Sequence, residues 1–196
     1  MTALLARYVD DTDADALAWE TTDSRIDYDC PGFAVREDSI TFPDGSTGEF
    51  HSVTEPDAVV ILPFTPDGDV VAIEEWRQAV GRVNLGLPAG GLEADDGNLV
   101  AAARRELREE TGYETDRLEQ VAAVEPANGL LDATHYHFVA HDCRPTAGQS
   151  LDENESIRVT ERDFDALREA AVAGELRDGR AAVGVLRYAA ATESHR

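Results

Sequence analysis

The stretch of sequence that decides the fold is GLPAGGLEADDGNLVAAARRELREETGY, which spans residues 86–113. Its first half is a glycine-rich loop, and its second half, about residues 98–111, consists mostly of strong helix formers. Gly112 follows directly, and glycine is the residue that most often ends a helix. Apolar residues recur every four positions from Leu99 to Leu107, so one face of this helix is predicted to pack on a sheet.

Three glutamates are crowded on another face of the same helix. Glu106 and Glu110 are four residues apart, so they project in the same direction, and Glu109 flanks them. Like charges at this spacing repel each other unless a cation neutralises them, and proteins hold Mg²⁺ through carboxylate oxygens together with substrate phosphates. A metal site is one interpretation of this pattern, and a solvated face of arginine and glutamate is the other.

The segment from Gly90 to Tyr113 resembles the sequence box of the Nudix hydrolase family. That box reads Gly, five residues, Glu, seven residues, and then Arg-Glu-aliphatic-any-Glu-Glu-any-Gly-hydrophobic. Residues 105–113 match its second half at every fixed position. In the first half, five residues separate Gly90 from Asp96, and eight rather than seven residues then precede Arg105. We therefore expect one extra residue in the loop, with Asp96 in the position of the box's first acidic residue.

The resemblance implies a fold, a cofactor and a set of site residues. The fold is of the α+β class, an α/β/α sandwich in which a mixed β-sheet lies between helices. The cofactor is Mg²⁺, with Mn²⁺ as an alternative. Arg105 is implied as the residue that orients the glutamates, and so contributes to catalysis indirectly. The implied metal ligands are Glu106, Glu109, Glu110 and the backbone carbonyl of Ala89.

The residues before the box resemble those of the ADP-ribose and ADP-sugar pyrophosphatases within the family. Residues 87–90, Leu-Pro-Ala-Gly, are typical of that branch, although Gly86 stands where these enzymes often carry glutamate. Residues 75–78, Glu-Trp-Arg-Gln, are similar to a Gln-aromatic-Arg segment of the branch. This similarity implies that Arg77 contacts the substrate diphosphate, and a surface arginine is the alternative.

An acidic loop late in the chain supplies the other candidate catalytic residues. Residues 151–159 resemble the loop and strand that carry a late catalytic glutamate in this branch. Glu153 fits that position best and Glu155 is the second choice, while a solvated acidic loop is the alternative. Residues 174–179 resemble the link between the two C-terminal helices of these enzymes.

Two segments are expected along the chain. Residues 1–55 form an N-terminal β segment with a hairpin turn at Asp44-Gly45, and residues 56–196 form the hydrolase domain. By resemblance, the N-terminal strands imply a homodimer, and aromatic residues there can stack on adenine, with ordinary packing as the alternative. The aromatic candidates are Trp19, Tyr28 and Phe33.

The remaining sequence predicts further strands and two helices. The apolar runs at residues 58–62 and 70–73 are joined by a Pro-Asp-Gly turn and predict a buried hairpin. His135 and His137 share one face of a strand, and we expect them to face solvent rather than bind metal. The other expected elements are strands at about residues 118–125, 134–141 and 155–160 and helices at about residues 161–173 and 180–192.

Composition restricts the classes to which the chain can belong. At 196 residues and 21.3 kDa it is long enough for one buried core, and it contains no apolar run of membrane-spanning length. The N-terminus does not resemble a secretory signal, and Cys30 and Cys143 are expected to be free thiols, so we expect a cytoplasmic protein. A net charge of −23 argues against binding to nucleic acid.

The expected partner is a small nucleotide substrate. By resemblance, the reaction is metal-dependent hydrolysis of ADP-ribose to AMP and ribose 5-phosphate. A sugar nucleotide, a dinucleoside polyphosphate or an oxidised nucleotide is the alternative substrate. An alternative from a different class is a Nudix-fold sensor that binds its ligand without hydrolysing it, which the intact box glutamates and the acidic surface disfavour.

The acidic composition predicts that folding depends on salt. All 17 basic residues are arginine, and this composition resembles that of proteins from halophiles that accumulate potassium chloride. In molar salt the Debye length falls to about 3 Å, which removes most of the self-repulsion. Thermal melts followed by circular dichroism should show a cooperative transition in molar potassium chloride and a much lower midpoint in dilute, metal-free buffer. A cooperative melt and full activity in the dilute buffer would refute this prediction.

Overall fold

The computed structural model describes residues 16–193, and the chain divides between Thr54 and Glu55 into two compact units. The first unit is an antiparallel sheet of β1 (Glu20–Cys30), β2 (Phe33–Thr41) and β3 (Thr47–Thr54), in that order. β2 and β3 pair from Ala34↔Thr54 to Thr41↔Thr47, which confirms the hairpin expected around Asp44-Gly45. Gly45 has a φ of 83°, a backbone conformation that glycine adopts readily.

The three aromatic candidates of the first unit, Trp19, Tyr28 and Phe33, are more exposed than residues packed in a core. Trp19 lies edge-on against Phe42 and Phe50, with ring centroids 4.8 and 5.7 Å away, yet it is 49% exposed. The ring centroids of Tyr28 and Phe33 are 6.2 Å apart, and the two residues are 56% and 42% exposed. Within their own unit these rings therefore keep accessible surface.

The second unit contains the remaining strands and all three helices of the described residues. The strands are β4 (Ala58–Pro63), β5 (Val70–Arg77), β6 (Arg82–Gly86), β7 (Ala89–Gly91), β8 (Tyr113–Glu114), β9 (Arg117–Val124), β10 (His135–His141), β11 (Arg144–Pro145) and β12 (Ile157–Arg162). The helices are α1 (Leu99–Thr111), α2 (Phe164–Ala173) and α3 (Gly179–Glu193). Between residues 16 and 193, no helix has the length and apolar character needed to cross a bilayer.

The strands of the second unit form a mixed sheet, an antiparallel sheet and a short pair. The mixed sheet has the order β7-β4-β10-β9, with β4 and β10 parallel. The antiparallel sheet has the order β12-β5-β6, and β8 pairs with β11. The observed elements confirm the expected α+β class, and their bounds lie close to those that the sequence predicts.

Strand β4 is the centre of the core, because every residue in it is buried. Val59 and Ile61 point to one face, where they join the buried residues of α1 in a single apolar cluster. Val60 and Leu62 point to the other face, where they pack with residues of α2 and α3. Helices therefore cover both faces of the sheet, which is the expected α/β/α sandwich.

The predicted hairpin between residues 58–62 and 70–73 is wrong in its pairing, although both strands form. β4 pairs with β7 and β10, whereas β5 pairs with β6 and β12, and a single bridge between Phe64 and Val70 joins the two at the turn. Strands that are apolar on both faces are buried in sheets with partners on both edges, and their sequences do not specify which partners those are.

The expectation that His135 and His137 face solvent is also wrong. Their exposed fractions are 9% and 2%, respectively. Helix α3 covers this face of β10, and Gly184 of that helix approaches so closely that an added Cβ would lie 3.5 Å from Nδ1 of His137. The histidines are buried because a helix from the end of the chain packs over them, which their strand spacing alone cannot reveal.

Burial of His137 predicts a specific loss of stability in acid. Burial lowers the pKa of His137 to about 4, and the positive charges of His135, Arg187 and Arg180 add to the effect. Because the unfolded chain binds this proton near pH 6.5, the free energy of unfolding should fall as the pH drops from about 6.5 towards 4. Substitution His137→Phe should reduce the difference in Tm between about pH 7 and pH 5. A His51→Phe variant, altered at an exposed histidine, is the control, and a pH dependence unchanged by His137→Phe would contradict the prediction.

Candidate active site

Helix α1 is fixed at both ends and along its apolar face. The side chain of Asn98 accepts a hydrogen bond from the amide of Ala101 at 3.0 Å, which caps the first turn. Gly112 ends the helix with a φ of 73°, in the left-handed region that favours glycine. Ala103 and Leu107 are completely buried against the sheet. With that face committed to the core, the neighbouring face presents its glutamates to the loop that carries β7.

Glu110 lies against the backbone of β7. Its Oε2 atom accepts a hydrogen bond from the amide of Ala89 at 2.9 Å, and the residue is only 3% exposed. Burial, together with the nearby carboxylates of Glu106, Glu155 and Glu75, raises the pKa of Glu110 to about 8, while the bond from Ala89 opposes the shift. This carboxylate is therefore held in place in surroundings that disfavour its ionised form.

Glu106 occupies the space above Gly90, one turn earlier on the helix. A Cβ atom added to Gly90 would lie 2.2 Å from Oε1 of Glu106, so only glycine leaves room for this carboxylate. Glu106 is 7% exposed, and burial raises its pKa to about 7, although Arg105 opposes the shift. The glycine-rich loop and the helix therefore enclose the carboxylate between them.

Arg105 connects the loop to the glutamates. Its guanidinium donates to both carboxylate oxygens of Asp96, at 3.1 and 2.9 Å, and to the carbonyl of Gly91 at 3.0 Å. Its Nη1 atom donates to Glu106 at 2.7 Å and to Glu109 at 3.1 Å. Asp96 thus holds Arg105, and Arg105 orients two of the three glutamates.

These groups border a cavity of about 260 Å³ between α1, the loop after β7 and the acidic loop before β12. Glu106, Glu109 and Glu110 line it from the helix, and Glu155 lines it from the acidic loop. Glu155 is half-buried, and its Oε2 atom accepts from the amide of Asp152 at 2.9 Å. Glu153, the first choice from sequence, is exposed and is not among the residues that line the cavity.

The acidic loop is fastened to the last turn of α1 by residues that sequence reasoning missed. The side-chain amide of Gln149 donates to the carbonyl of Glu110 at 2.7 Å, and the amide of Ser150 donates to the carbonyl of Glu109 at 2.9 Å. Both acceptors are carbonyls at the end of a helix, which need partners from outside it. These bonds fix the start of the segment that carries Glu155, and no local sequence pattern indicates them.

The donor set of this cavity fits a hard divalent cation. Glu106 and Glu110 are almost entirely buried, and Glu109 and Glu155 are partly exposed at the rim. Burial keeps the pKa values of both carboxyl groups raised, although Arg105 opposes the shift at Glu106. Carboxylate oxygens are the ligands that Mg²⁺ and Mn²⁺ prefer, and a bound cation would stabilise the ionised forms.

Arg77 lies at the end of β5 beside a buried carboxylate that sequence reasoning also missed. Its Nη2 atom is 2.7 Å from Oε2 of Glu75, and Glu75 is only 8% exposed. Burial raises the pKa of Glu75, and the nearby charges of Glu155 and Asp178 add to the effect, whereas Arg77 and Arg180 oppose it. Glu75 thus joins the electrostatic environment of the acidic cavity, although Arg77 itself does not line that cavity.

A second group of possible metal ligands lies in the first unit. Donor atoms of Asp27, Glu37 and His51 all lie within 4.8 Å of one another. Arg25 already forms ion pairs with Glu37 and, at 3.4 Å, with Asp27, while His51 is 3.1 Å from Glu37. Because an arginine provides the counter-charge here, we assign no metal to this group.

Comparison with known proteins agrees with the geometry of the second unit. The model of the NUDIX domain matches residues 54–182. The chain is 30% identical over 133 residues to the ADP-ribose pyrophosphatase of Bacillus subtilis (strain 168), which covers 67% of this chain and 71% of that protein. It is also 30% identical over 132 residues to the methanol dehydrogenase activator of Bacillus methanolicus. That match covers 67% of this chain and 71% of the activator.

A solved structure extends the similarity to the fold. The crystal structure of an ADP compounds hydrolase superimposes with a TM-score of 0.78, and the match covers 90% of this chain and 95% of that one. The sequences are only 18% identical, so this comparison concerns the fold alone.

The contact between Gly90 and Glu106 predicts the effect of a single methyl group. In Gly90→Ala the new Cβ would overlap the carboxylate of Glu106, which must then leave its position. We expect Mg²⁺ affinity, measured by calorimetry, to fall at least about tenfold, and the Tm to change little because only a side chain at the cavity wall moves. Gly91→Ala is the matched control, since its Cβ would meet only Pro56 at an ordinary 3.7 Å. Equal Mg²⁺ affinity in the two variants would contradict the assignment.

Proposed function

The chain belongs to the Nudix family of pyrophosphohydrolases, and we propose that its substrate is ADP-ribose, which it cleaves to AMP and ribose 5-phosphate with Mg²⁺ as the cofactor. The observation that carries this proposal is the cavity in which Glu106, Glu109, Glu110 and Glu155 converge. The similarity to an ADP-ribose pyrophosphatase supports the choice of substrate. The different name of the second relative, an activator of methanol dehydrogenase, is the reason why this choice needs a direct test.

In the proposed mechanism, the glutamates of α1 hold the cation. Glu106, Glu109 and Glu110 would be its ligands. The backbone carbonyl of Ala89, whose amide donates to Glu110, would be a further one. When bound, Mg²⁺ supplies Lewis-acid stabilisation of charge on the phosphate oxygens and makes a water molecule easier to deprotonate. Arg105 keeps Glu106 and Glu109 in position, so it acts as a positioning residue.

We assign the general base to Glu155. Its carboxylate lies across the cavity from α1, where it can accept a proton from the attacking water. The bond from the amide of Asp152 to its Oε2 atom fixes one oxygen and leaves the other available. Glu153 lies in an exposed turn and does not line the cavity, which is why the first choice from sequence gives way to the second.

Arg77 is proposed to contact the diphosphate. It is the cation nearest to Glu75, and it is about one-third exposed, so its guanidinium can reach a ligand. Guanidinium groups bind phosphate oxygens through paired hydrogen bonds. The ion pair with Glu75 would then keep Arg77 near this position.

We further propose that the protein is a cytoplasmic homodimer. The exposed rings of Trp19, Tyr28 and Phe33 on the first unit support an interface or an adenine-stacking role for residues 1–55. Cys30 and Cys143 are both free, as is usual for proteins of a reducing compartment. Residues 1–15 of the expected N-terminal segment lie outside the described residues.

Product analysis in molar potassium chloride with Mg²⁺ tests the substrate. The protein would be given ADP-ribose, ADP-glucose, diadenosine polyphosphates, nucleoside triphosphates and an oxidised nucleotide in parallel, with products separated by chromatography. We expect rapid release of AMP from ADP-ribose. Turnover of another compound alone would contradict the substrate and leave the metal site intact. Tight binding of ADP-ribose without any product would contradict hydrolysis and favour a sensor.

Substitution Glu110→Gln tests the metal site. The amide oxygen can still accept the hydrogen bond from Ala89, so the fold should survive, but the charge that binds the cation is lost. We expect turnover to fall below detection while the circular dichroism spectrum stays unchanged. A variant that turns over normally would show that the metal ligands are elsewhere.

Two neighbouring substitutions distinguish the candidate bases. Removal of a general base lowers the rate by about 10²–10⁴-fold. Glu155→Gln should therefore lower kcat by at least about 100-fold with little change in KM, because the base acts on water rather than in binding. Glu153→Gln is the matched control in the same loop and should keep kcat close to that of the wild type. The opposite result would return the role to Glu153.

A further inference from the structure

A second cavity, of about 640 Å³, borders α1 on the side of Arg104 and Arg108, and Arg105 lies between it and the metal cavity. Arg104 and Arg108 are four residues apart and project together into it, offset by two residues from Glu106 and Glu110. The other wall comes from residues 114–117 and from the segment that includes β11. Cavities of roughly 300–1,000 Å³ are the usual size for small-molecule sites.

The charge of this cavity differs from that of the protein as a whole. Five of the chain's 17 basic residues line it, whereas the net charge of the chain is −23. Arg105 is already bound to Asp96 and the glutamates, which leaves four arginines to face the cavity: Arg104, Arg108, Arg117 and Arg144. Such a concentration of guanidinium groups at one concave surface attracts anions in spite of the overall charge.

The carboxylates that face these arginines bind them weakly. Asp116 is 3.5 Å from Arg104 and its side chain is fully exposed, and Glu114 lies 3.2 Å from Arg108 with both side chains largely in solvent. Exposed ion pairs of this kind contribute little to stability. A phosphate group, with more charge and three acceptor oxygens, can therefore replace them.

Two further arginines, Arg117 and Arg144, line the same cavity. Arg117 pairs with Asp142 through a single Nη1 contact, and both side chains are about half or more exposed. Arg144 forms no ion pair with any residue between 16 and 193, although it lines the cavity beside Thr146. Guanidinium groups that are partly or wholly without a strong partner bind phosphate in a bidentate manner.

We propose that this cavity is a second ligand site, which binds the phosphate group of a small phosphorylated molecule and is separate from the metal cavity. The two sites differ in what they require. The metal cavity is acidic and holds an anionic substrate only when a cation is present, whereas the arginine cavity needs none. Removal of divalent metal therefore isolates the second site for measurement.

The experiment is calorimetric titration of the metal-free, full-length protein in EDTA, with inorganic phosphate and AMP as probes. The salt concentration is the lowest at which circular dichroism shows the folded protein. We expect saturable binding of at least one probe. Tighter binding of AMP indicates a nucleotide site, and equal binding indicates recognition of the phosphate group alone; both results support the proposal.

Variants locate the binding. The double substitution Arg117→Gln and Arg144→Gln should lower the affinity for the probes at least about tenfold, because two charge-assisted contacts are lost. Arg168→Gln removes an arginine of α2 that pairs with Asp165 and Glu193, and it should leave the affinity unchanged. The proposal is overturned if neither probe binds or if the double variant binds the probes as the wild type does. It is also overturned if Arg77→Gln alone abolishes binding, because that result would place the anion at the substrate site.

Discussion

The feature on which the rest of this structure depends is the burial of two glutamate carboxylates between a helix and a glycine-rich loop. Glu106 and Glu110 are 7% and 3% exposed, and removing such charges from water costs several kcal/mol each. The core provides the rigidity for this arrangement, because strand β4 pairs with strand β7 on one edge and packs against α1 on one face. Gly90 provides the space, since any side chain there would occupy the position of a carboxylate.

The proposed function depends on the same buried carboxylates. Carboxylates held in a fixed direction at a cavity favour a divalent cation more than flexible surface groups do, and they need no rearrangement when substrate arrives. Arg105 and the acidic loop complete the enclosure, Arg105 through Asp96 and the loop through Gln149. If the proposed metal site is correct, a less stable metal-free state accompanies the preformed site, as is common in enzymes.

The sequence predicts features that depend on local patterns and misses those that depend on distant packing. Helix α1 and its end at Gly112 follow from composition and a four-residue repeat. Asp96, expected in the position of the box's first acidic residue, accepts a hydrogen bond from Arg105. The pairing of β4 and β5 is not predictable in this way, because uniformly apolar strands carry no information about their neighbours. The same limit applies within the acidic loop, where the sequence resemblance favours Glu153 over Glu155. In the structure Glu155 lines the cavity, in a loop that Gln149 joins to α1.

The measurement that tests this account most directly is the Tm of the wild type and of Glu110→Gln during a titration with Mg²⁺ in molar potassium chloride. A ligand at about 100 times its Kd stabilises the folded state by about 2.7 kcal/mol, which raises the Tm of a protein of this size by roughly 5–10 °C. The account predicts such a rise for the wild type. It predicts that the variant starts from a higher Tm without metal, because an amide replaces a buried carboxyl group whose ionised form is disfavoured, and gains much less from Mg²⁺. Equal stabilisation of the two proteins by Mg²⁺, or no effect on either, would contradict it.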